Sequence, residues 1–306
     1  MRIVAVLTAY HPDERLAAVV ESALQDCAAV IVADNTPDPA PSLAAKLDDP
    51  RVTVLPIGRN LGLGGALNLA VREMRKGSAS DTTPAAAPAD AVLLMDQDSV
   101  LPSGLVTGLA ALLESDPQIG IAAPTPWDAE HDAAYNFGTD GKTVEDRPVV
   151  ITSGMLVRRE CLEQVTFRED LFNDFVDMTF CIDVHAAGYR IVQDYTLRLP
   201  HSMGNRREHG VGPLRVRVIH YPPWRHYWIA RNGAQFVRDY TRTRPLAFAS
   251  MGVFLGRKYL SVACWGPHRI RQLTALTRGV LDAAVGRYSL GYLPEGAHPP
   301  GVRDGG

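Results

Sequence analysis

The chain has 306 residues, of which 46% are hydrophobic and 21% charged, the composition of an ordinary globular protein with a large core. A net charge of −3 gives no global basic field, so nucleic acid is not an expected partner. The cysteines Cys27, Cys161, Cys181 and Cys264 are far apart and lack C-x-x-C spacing; they predict reduced thiols, neither a disulfide framework nor a zinc site.

Met1–Thr8 is too short an apolar run for a signal peptide. No stretch reaches 18 apolar residues without a charge, so no transmembrane helix is expected. The expectation is a cytoplasmic protein. Ile3–Leu7 reads as a buried parallel strand. Pro12, Asp13 and Glu14 suit a helix start, and Leu16, Val19, Val20, Ala23 and Leu24 follow at helical spacing. Val30–Ala33 and Val52–Ile57 are further strands. Gly58–Gly65 is a glycine-rich turn and Ala66–Met74 a helix. Lys76–Asp90, rich in Ala, Pro, Ser and Thr, reads as a flexible surface insertion.

Ala91–Met95 is the next buried strand, and it ends directly in Asp96-Gln97-Asp98-Ser99. Two carboxylates at a strand end can hold a hard divalent cation, Mg²⁺ or Mn²⁺, in the ligand crevice of an open α/β sheet. About one Asp-x-Asp is expected by chance in a chain this long, so a solvated turn is the competing reading. Pro102–Ser115 reads as a helix and Ile119–Ala123 as a strand. Pro124–Arg147, with Trp127, Tyr135 and Phe137, is polar and irregular, like a lid or binding loop. Val149–Ser153 and Arg190–Val192 read as strands, Arg159–Val165 and Val176–Gly188 as helices. Past about residue 213 the strands are expected to stop. Trp224–Tyr240, Pro245–Trp265 and Pro267–Val285 read as helices, before a Pro/Gly-rich tail from Gly291.

Strand and helix alternate through the first two thirds, which predicts an α/β fold with a mostly parallel sheet. Certain pieces follow one another in a set order: Thr8-Ala9-Tyr10, Asp34-Asn35, Asn60-Leu61-Gly62 with Ala66 and Asn68, and Asp96-Gln97-Asp98-Ser99. Thr152-Ser153-Gly154, Phe175-Val176-Asp177 with Cys181, His201 with Gly204, and Arg225-His226-Tyr227-Trp228 with Arg231-Asn232 then follow. In these pieces and their order the chain resembles glycosyltransferase family 2, of the GT-A fold, and within it the rhamnosyltransferase-like members. The resemblance runs from about residue 3 to about residue 240.

The resemblance implies a Rossmann-like, mostly parallel mixed sheet flanked by helices. It places a nucleotide-sugar-binding and catalytic domain over 1–212 and a helical C-terminal extension over 213–306. It implies an inverting, metal-dependent transfer of a sugar from a nucleotide-sugar donor, dTDP-L-rhamnose favoured, to a hydroxyl of a glycan or lipid-linked glycan. Asp98 and His201 are the expected metal ligands. Asp96 is expected on the ribose or a metal-bound water. Asp177 is the expected base, with helix capping as its plain reading and Asp174 as a rival. Thr8, Tyr10, Asp34, Asn60, Gly62, Asn68, Ser153 and Gly154 are expected to meet the nucleotide or sugar, and Arg206 and Arg207 its phosphates. Asp34 can accept from N3–H of a uracil or thymine ring; turn chemistry is the alternative. The chain departs from the family pattern at Thr179, where relatives carry Glu, and at Asp183, where they carry Arg.

Two rival functions stay open on the sequence. A sugar nucleotidyltransferase would be expected to carry a basic glycine-rich loop after the first strand, but Thr8–Pro12 has neither Gly nor Lys. A non-catalytic nucleotide-sugar-binding scaffold fits the Thr179 and Asp183 departures, and a UDP-sugar donor is an alternative to the dTDP-sugar. Pro245–Trp265 mixes apolar residues with Arg257-Lys258. It reads as core or homo-oligomer packing, or as an amphipathic element in peripheral contact with a membrane.

Overall fold

The computed structural model describes residues 1–37, 47–80, 88–128, 132–134, 143–201, 206–209, 216–242, 246–294 and 296–297, without the side chains of 76–80, 206–209, 216–217 and 246–248. In chain order the first elements are β1 (Ile3–Ala9), α1 (Arg15–Asp26), β2 (Ala29–Pro37), β3 (Val52–Gly58), α2 (Gly62–Ser80) and β4 (Ala91–Asp96). Next come α3 (Leu105–Ser115), β5 (Ile119–Asp128), β6 (Ala133–Ala134), β7 (Val144–Asp146), β8 (Met155–Arg158), α4 (Arg159–Gln164), α5 (Val176–Ala186) and β9 (Arg190–Pro200). The chain continues with β10 (Arg206–His209), β11 (Val216–Ile219), α6 (Pro223–Tyr240), α7 (Leu246–Trp265) and α8 (Arg269–Ala284).

Packing divides the chain into two compact units. One is Met1–Glu169 with Val176–Ser202; the other is Asp170–Phe175 with Met203–Gly306. The first unit holds a sheet in the order β3-β2-β1-β4-β8-β5-β9-β7, with β6 on β5. β1 pairs in parallel with β2 and β4, β2 with β3, and β5 with β9. β8 runs antiparallel to both its neighbours, so β4 and β5 point the same way. The carboxyl ends of β1, β2, β4, β5 and β9 therefore share one edge of the sheet. In α/β sheets this is the edge where ligands bind.

The strands are apolar on successive residues because both faces are covered. Ile3, Ala5, Leu7 and Ala9 pack with α1, through Leu16, Val19, Val20 and Ala23, and with α3, through Leu105, Val106, Leu109 and Leu113. α2 packs against β1 and β2 and buries Ala66, Leu67 and Ala70. In the second unit α6, α7 and α8 pack on one another, and β10 and β11 form a separate antiparallel pair. Tyr227 and Trp228 of α6 are fully buried there, with Phe172 and Ala275. All four cysteines are free.

Several elements differ from the sequence reading. The strand expected at Val149–Ser153 forms instead at Met155–Arg158, because Gly154 turns the chain with φ +80°. Its N–H donates to Leu94 O, and the ladder on β4 starts only after it. The stretch Pro124–Arg147 is less irregular than its polarity implied. β5 runs on to Asp128 by pairing with an extended β9, and β6 and β7 lie within the stretch. Tyr135 and Phe137 lie outside the described residues. The first residues of the expected insertion, 76–80, continue α2, while 81–87 lie outside the described residues. Strands do not stop at 213, since Val216–Ile219 is β11.

Candidate active site

The site is built from residues just past the carboxyl ends of the parallel strands. Thr8 of β1 sits in register with Asp96 of β4, and Ala9 with Asp34 of β2. Gln97 ties the loops after β1 and β4 together: its Oε1 accepts from Tyr10 N at 2.7 Å and its Nε2 donates to Tyr10 O at 3.2 Å. A turn that could have been loosely solvated is thereby fixed to the sheet.

Asp96, Asp98 and His201 each bring a ligand atom within 4.8 Å of the other two. For oxygen and nitrogen ligands about 2.1–2.3 Å from a divalent ion, the widest pair lies about 4.2–4.6 Å apart. The donor set also fits chemically: two hard carboxylates and one imidazole suit Mg²⁺ or Mn²⁺. His201 is carried in by β9, whose Pro200 pairs with Trp127, and the His201 N–H donates to Trp127 O at 3.0 Å. Ser99 Oγ lies 3.1 Å from Nδ1 of His201 and orients its ring. Burial lowers the His201 pKa, with Asp98 working the other way, which favours the neutral ring that a metal ligand requires.

Burial raises Asp96 to about 6, and the nearby Asp98 carboxylate adds to the rise. Ser153 opposes it, although Ser153 Oγ has no hydrogen bond of standard geometry among the described residues. Two carboxylates crowded in this way favour a cation between them. Arg15 of α1 approaches Asp98 at 3.7 Å while bound to Asp13 at 2.7 Å.

Asp34 is 1% exposed. Its Oδ1 accepts from Thr36 N at 3.0 Å, whereas Oδ2 has no partner among the described residues. A buried acceptor without a donor is costly, and a ligand N–H would satisfy it. The asparagines are placed differently. Asn35 Nδ2 donates to Asn60 Oδ1 at 2.8 Å, and the same Oδ1 accepts from Gly62 N at 2.8 Å. Asn35 Oδ1 accepts from Leu61 N at 2.7 Å. Asn60 and Gly62 (φ +75°) thus shape the loop that opens α2. Asn68 is held by Phe167 and Glu169: its Nδ2 donates to Phe167 O at 2.8 Å and Glu169 Oε1 at 2.9 Å, and its Oδ1 accepts from Phe167 N.

Residues 4–190 match the family described as Glycosyl transferase family 2. The chain belongs to glycosyl transferase family 2. A relative of this glycosyltransferase, the dTDP-rhamnosyl transferase RfbF of Shigella flexneri, is 26% identical over 254 residues, 77% of this chain and 80% of RfbF. Among solved structures, the mannosyltransferase PcManGT of Pyrobaculum calidifontis, in complex with GDP-Man and Mn²⁺, matches with a TM-score of 0.54 and 16% identity, covering 94% of this chain and 88% of PcManGT. GalNAc-T7, with UDP, GalNAc and Mn²⁺, matches with a TM-score of 0.53 and 14% identity over 66% of this chain; the match spans only 44% of GalNAc-T7. The fold of this family 2 member is that of the GT-A glycosyltransferases.

Asp177 of this family 2 glycosyltransferase lies in the first turn of α5, where its Oδ1 accepts from Met178 N at 2.8 Å. Thr179 is fully buried and donates from Oγ1 to Val176 O at 3.1 Å. The rival Asp174 accepts from Arg225 at 3.2 Å. Burial raises its pKa and the Arg225 guanidinium opposes the rise. The Arg225–Asn232 motif proves to be a fastening within the second unit. Arg231 Nη1 donates to Asp170 O at 2.9 Å, Asn232 Nδ2 to Asp174 O at 2.9 Å, and Tyr227 OH to Asp282 Oδ2 at 2.8 Å. The side chains of Arg206 and Arg207 lie outside the described residues. Arg15 carries no sequence signal of a role at this site. For Gln97 and Ser99 the only signal was their adjacency to the acidic pair.

Proposed function

We propose that the chain transfers a sugar from a nucleotide-diphosphate donor to a glycan or lipid-linked glycan hydroxyl with inversion, and that the donor is dTDP-L-rhamnose. The observation that carries the reading is the convergence of Asp96, Asp98 and His201 at the ligand edge of the sheet. The rhamnose assignment draws on the likeness to RfbF. The catalytic portion is proposed as residues 1–212, with 213–306 as its helical extension.

In this reading Asp98 and His201 would hold a Mg²⁺ or Mn²⁺ ion, and Asp96 would meet the ribose or a water on the ion. Such an ion supplies positive charge for the departing nucleoside diphosphate. Asp34 Oδ2 accepts from the base N3–H, a group thymine and uracil share. Thr8 and Tyr10 line the same strand ends, and Ser153 and Gly154 border Asp96. Arg206 and Arg207 are proposed for the phosphates. Asp177 removes the proton from the acceptor hydroxyl on the face opposite the leaving group.

The test is a donor comparison. The purified chain is incubated with Mn²⁺ or Mg²⁺ and either dTDP-L-rhamnose or UDP-sugars, and nucleoside diphosphate release is followed with and without a glycan acceptor. Faster turnover of dTDP-L-rhamnose is expected. Equal or faster turnover of a UDP-sugar overturns the donor, and donor binding with no turnover on any acceptor favours a non-catalytic scaffold.

A further inference from the structure

Among the described residues, the second unit carries a surface that is both basic and apolar. Between residues 246 and 294 the sequence has six basic residues against one acid, a local charge of +5 in a chain of net −3. That acid, Asp282, is 3% exposed and bound to Tyr227 and Arg278. The five arginines, 257, 269, 271, 278 and 287, are all exposed. Nine large apolar side chains are exposed among the described residues, and seven of them fall between Val253 and Leu290.

Helical geometry sorts these residues onto outward stripes. α8 buries Gln272, Ala275, Leu276, Gly279, Asp282 and Ala283. The opposite face, at intervals of four, seven and four residues, presents Ile270 (83% exposed), Thr274, Leu281 (58%) and Val285 (64%), flanked by Arg271 and Arg278. α7 turns Leu255, Tyr259 and Val262 inward against the Leu273, Leu276 and Val280 side of α8. It leaves Val253 (58%), Arg257 and Leu260 (62%) outward. Both helices thus expose apolar side chains interleaved with arginine and show no acid.

Charge decides what can cover such stripes. A second copy docking this patch on its own equivalent would bring arginine against arginine with no exposed acid to meet it. A nucleic acid would satisfy the arginines but leave Ile270 and Leu281 in water. An anionic bilayer offers phosphates and an apolar phase a few ångströms below them, which matches both components at once. Among the described residues no helix is long and apolar enough to cross a membrane, so the contact lies along the surface.

We propose that α7 and α8 seat their outward stripes in the headgroup region of an anionic membrane. The inference does not depend on the donor or on sugar transfer, and its test needs neither. The full chain is floated with phosphatidylcholine vesicles, or with vesicles carrying about 30% phosphatidylglycerol. It is expected to float with the anionic vesicles, about tenfold less with the neutral ones, and less as salt rises. Ile270→Ser with Leu281→Ser, and separately Arg257→Gln with Arg271→Gln, should each lower recovery about tenfold while thermal melting stays unchanged. Because these positions are exposed, the two pairs test the apolar and charged components independently. Absence of flotation, equal recovery on neutral vesicles, or variants that float like the parent would overturn the proposal. So would a dimer in light scattering that the serine pair dissociates, or retention on DNA without flotation.

Discussion

Ser99 Oγ lies 3.1 Å from Nδ1 of His201, although 102 residues separate them in the chain. The contact joins the acidic turn after β4 to the residue that follows β9, and it leaves Nε2 of the ring for an ion. Partners of this kind, behind a metal-binding histidine, fix its tautomer and direction. Ser99→Ala should therefore weaken Mn²⁺ binding about 10- to 100-fold in a calorimetric titration. Binding unchanged within twofold would show that Ser99 only fills space.

Gly154 has φ +80°, and a Cβ there would meet Pro124 Cγ at 2.7 Å and Leu199 Cδ2 at 2.8 Å. The left-handed backbone costs an alanine about 1 kcal/mol, and forcing a methyl into packed carbon adds about 1–3 kcal/mol. Gly154→Ala is expected to lower the free energy of unfolding in urea by about 2–4 kcal/mol. A loss under about 0.5 kcal/mol, the scale of an ordinary surface substitution, would refute the packing argument.

The same glycine shows where reading the sequence succeeds and where it stops. The runs Ile3–Leu7 and Ala91–Met95 announced themselves as strands because both faces of the sheet are covered, so apolar character is continuous. Val150 is buried as well, and the apolar pair Val149-Val150 drew the expected strand too early. What decides that register is the turn at Gly154, and tertiary contacts with Pro124 and Leu199 impose it. Asp96 and Asp98 are legible from their place at the end of an apolar strand, His201 only from its place in the ordered series. Nothing local ties His201 to the acidic pair, because β9 reaches that edge by pairing with β5. Asn60 and Asn68 stand in the same ordered series, and their amides also fasten a loop and the segment 167–169. Sequence order marks such positions but does not show which of their polar atoms the fold itself uses.

His226 offers a test of linkage between protonation and folding. It is 2% exposed, and burial lowers its pKa to about 4, with Lys258 and His220 adding repulsion. The unfolded chain has an ordinary histidine near 6.5, so between pH 6.5 and 4 the unfolded state binds the extra proton. Stability from this group is complete above about pH 6.5 and declines as pH falls toward 4, by at most about 3 kcal/mol. Denaturant titrations at pH 7.5, 6 and 5 should show a shallower decline for His226→Gln than for the parent, the pH values being chosen about the histidine window. Parallel declines would mean that His226 does not titrate on unfolding.

Asp174 and Asp177, three residues apart, can be separated by asking which property each variant moves. Asp177 Oδ1 accepts from Met178 N, a role that asparagine can keep. Asp177→Asn should leave the fold and donor binding intact and lower kcat about 10²- to 10⁴-fold, the usual contribution of a general base. Asp174 instead accepts from Arg225 at 3.2 Å, with its side chain 15% exposed and that of Arg225 35% exposed. Asp174→Asn removes one charge of a partly buried pair and should cost about 1–3 kcal/mol of stability, discounted for the solvent that reaches Arg225. Its activity loss should track the unfolded fraction and recover at lower temperature, where that of Asp177→Asn should not. A well-folded Asp174→Asn with kcat reduced more than about hundredfold would exchange the two assignments.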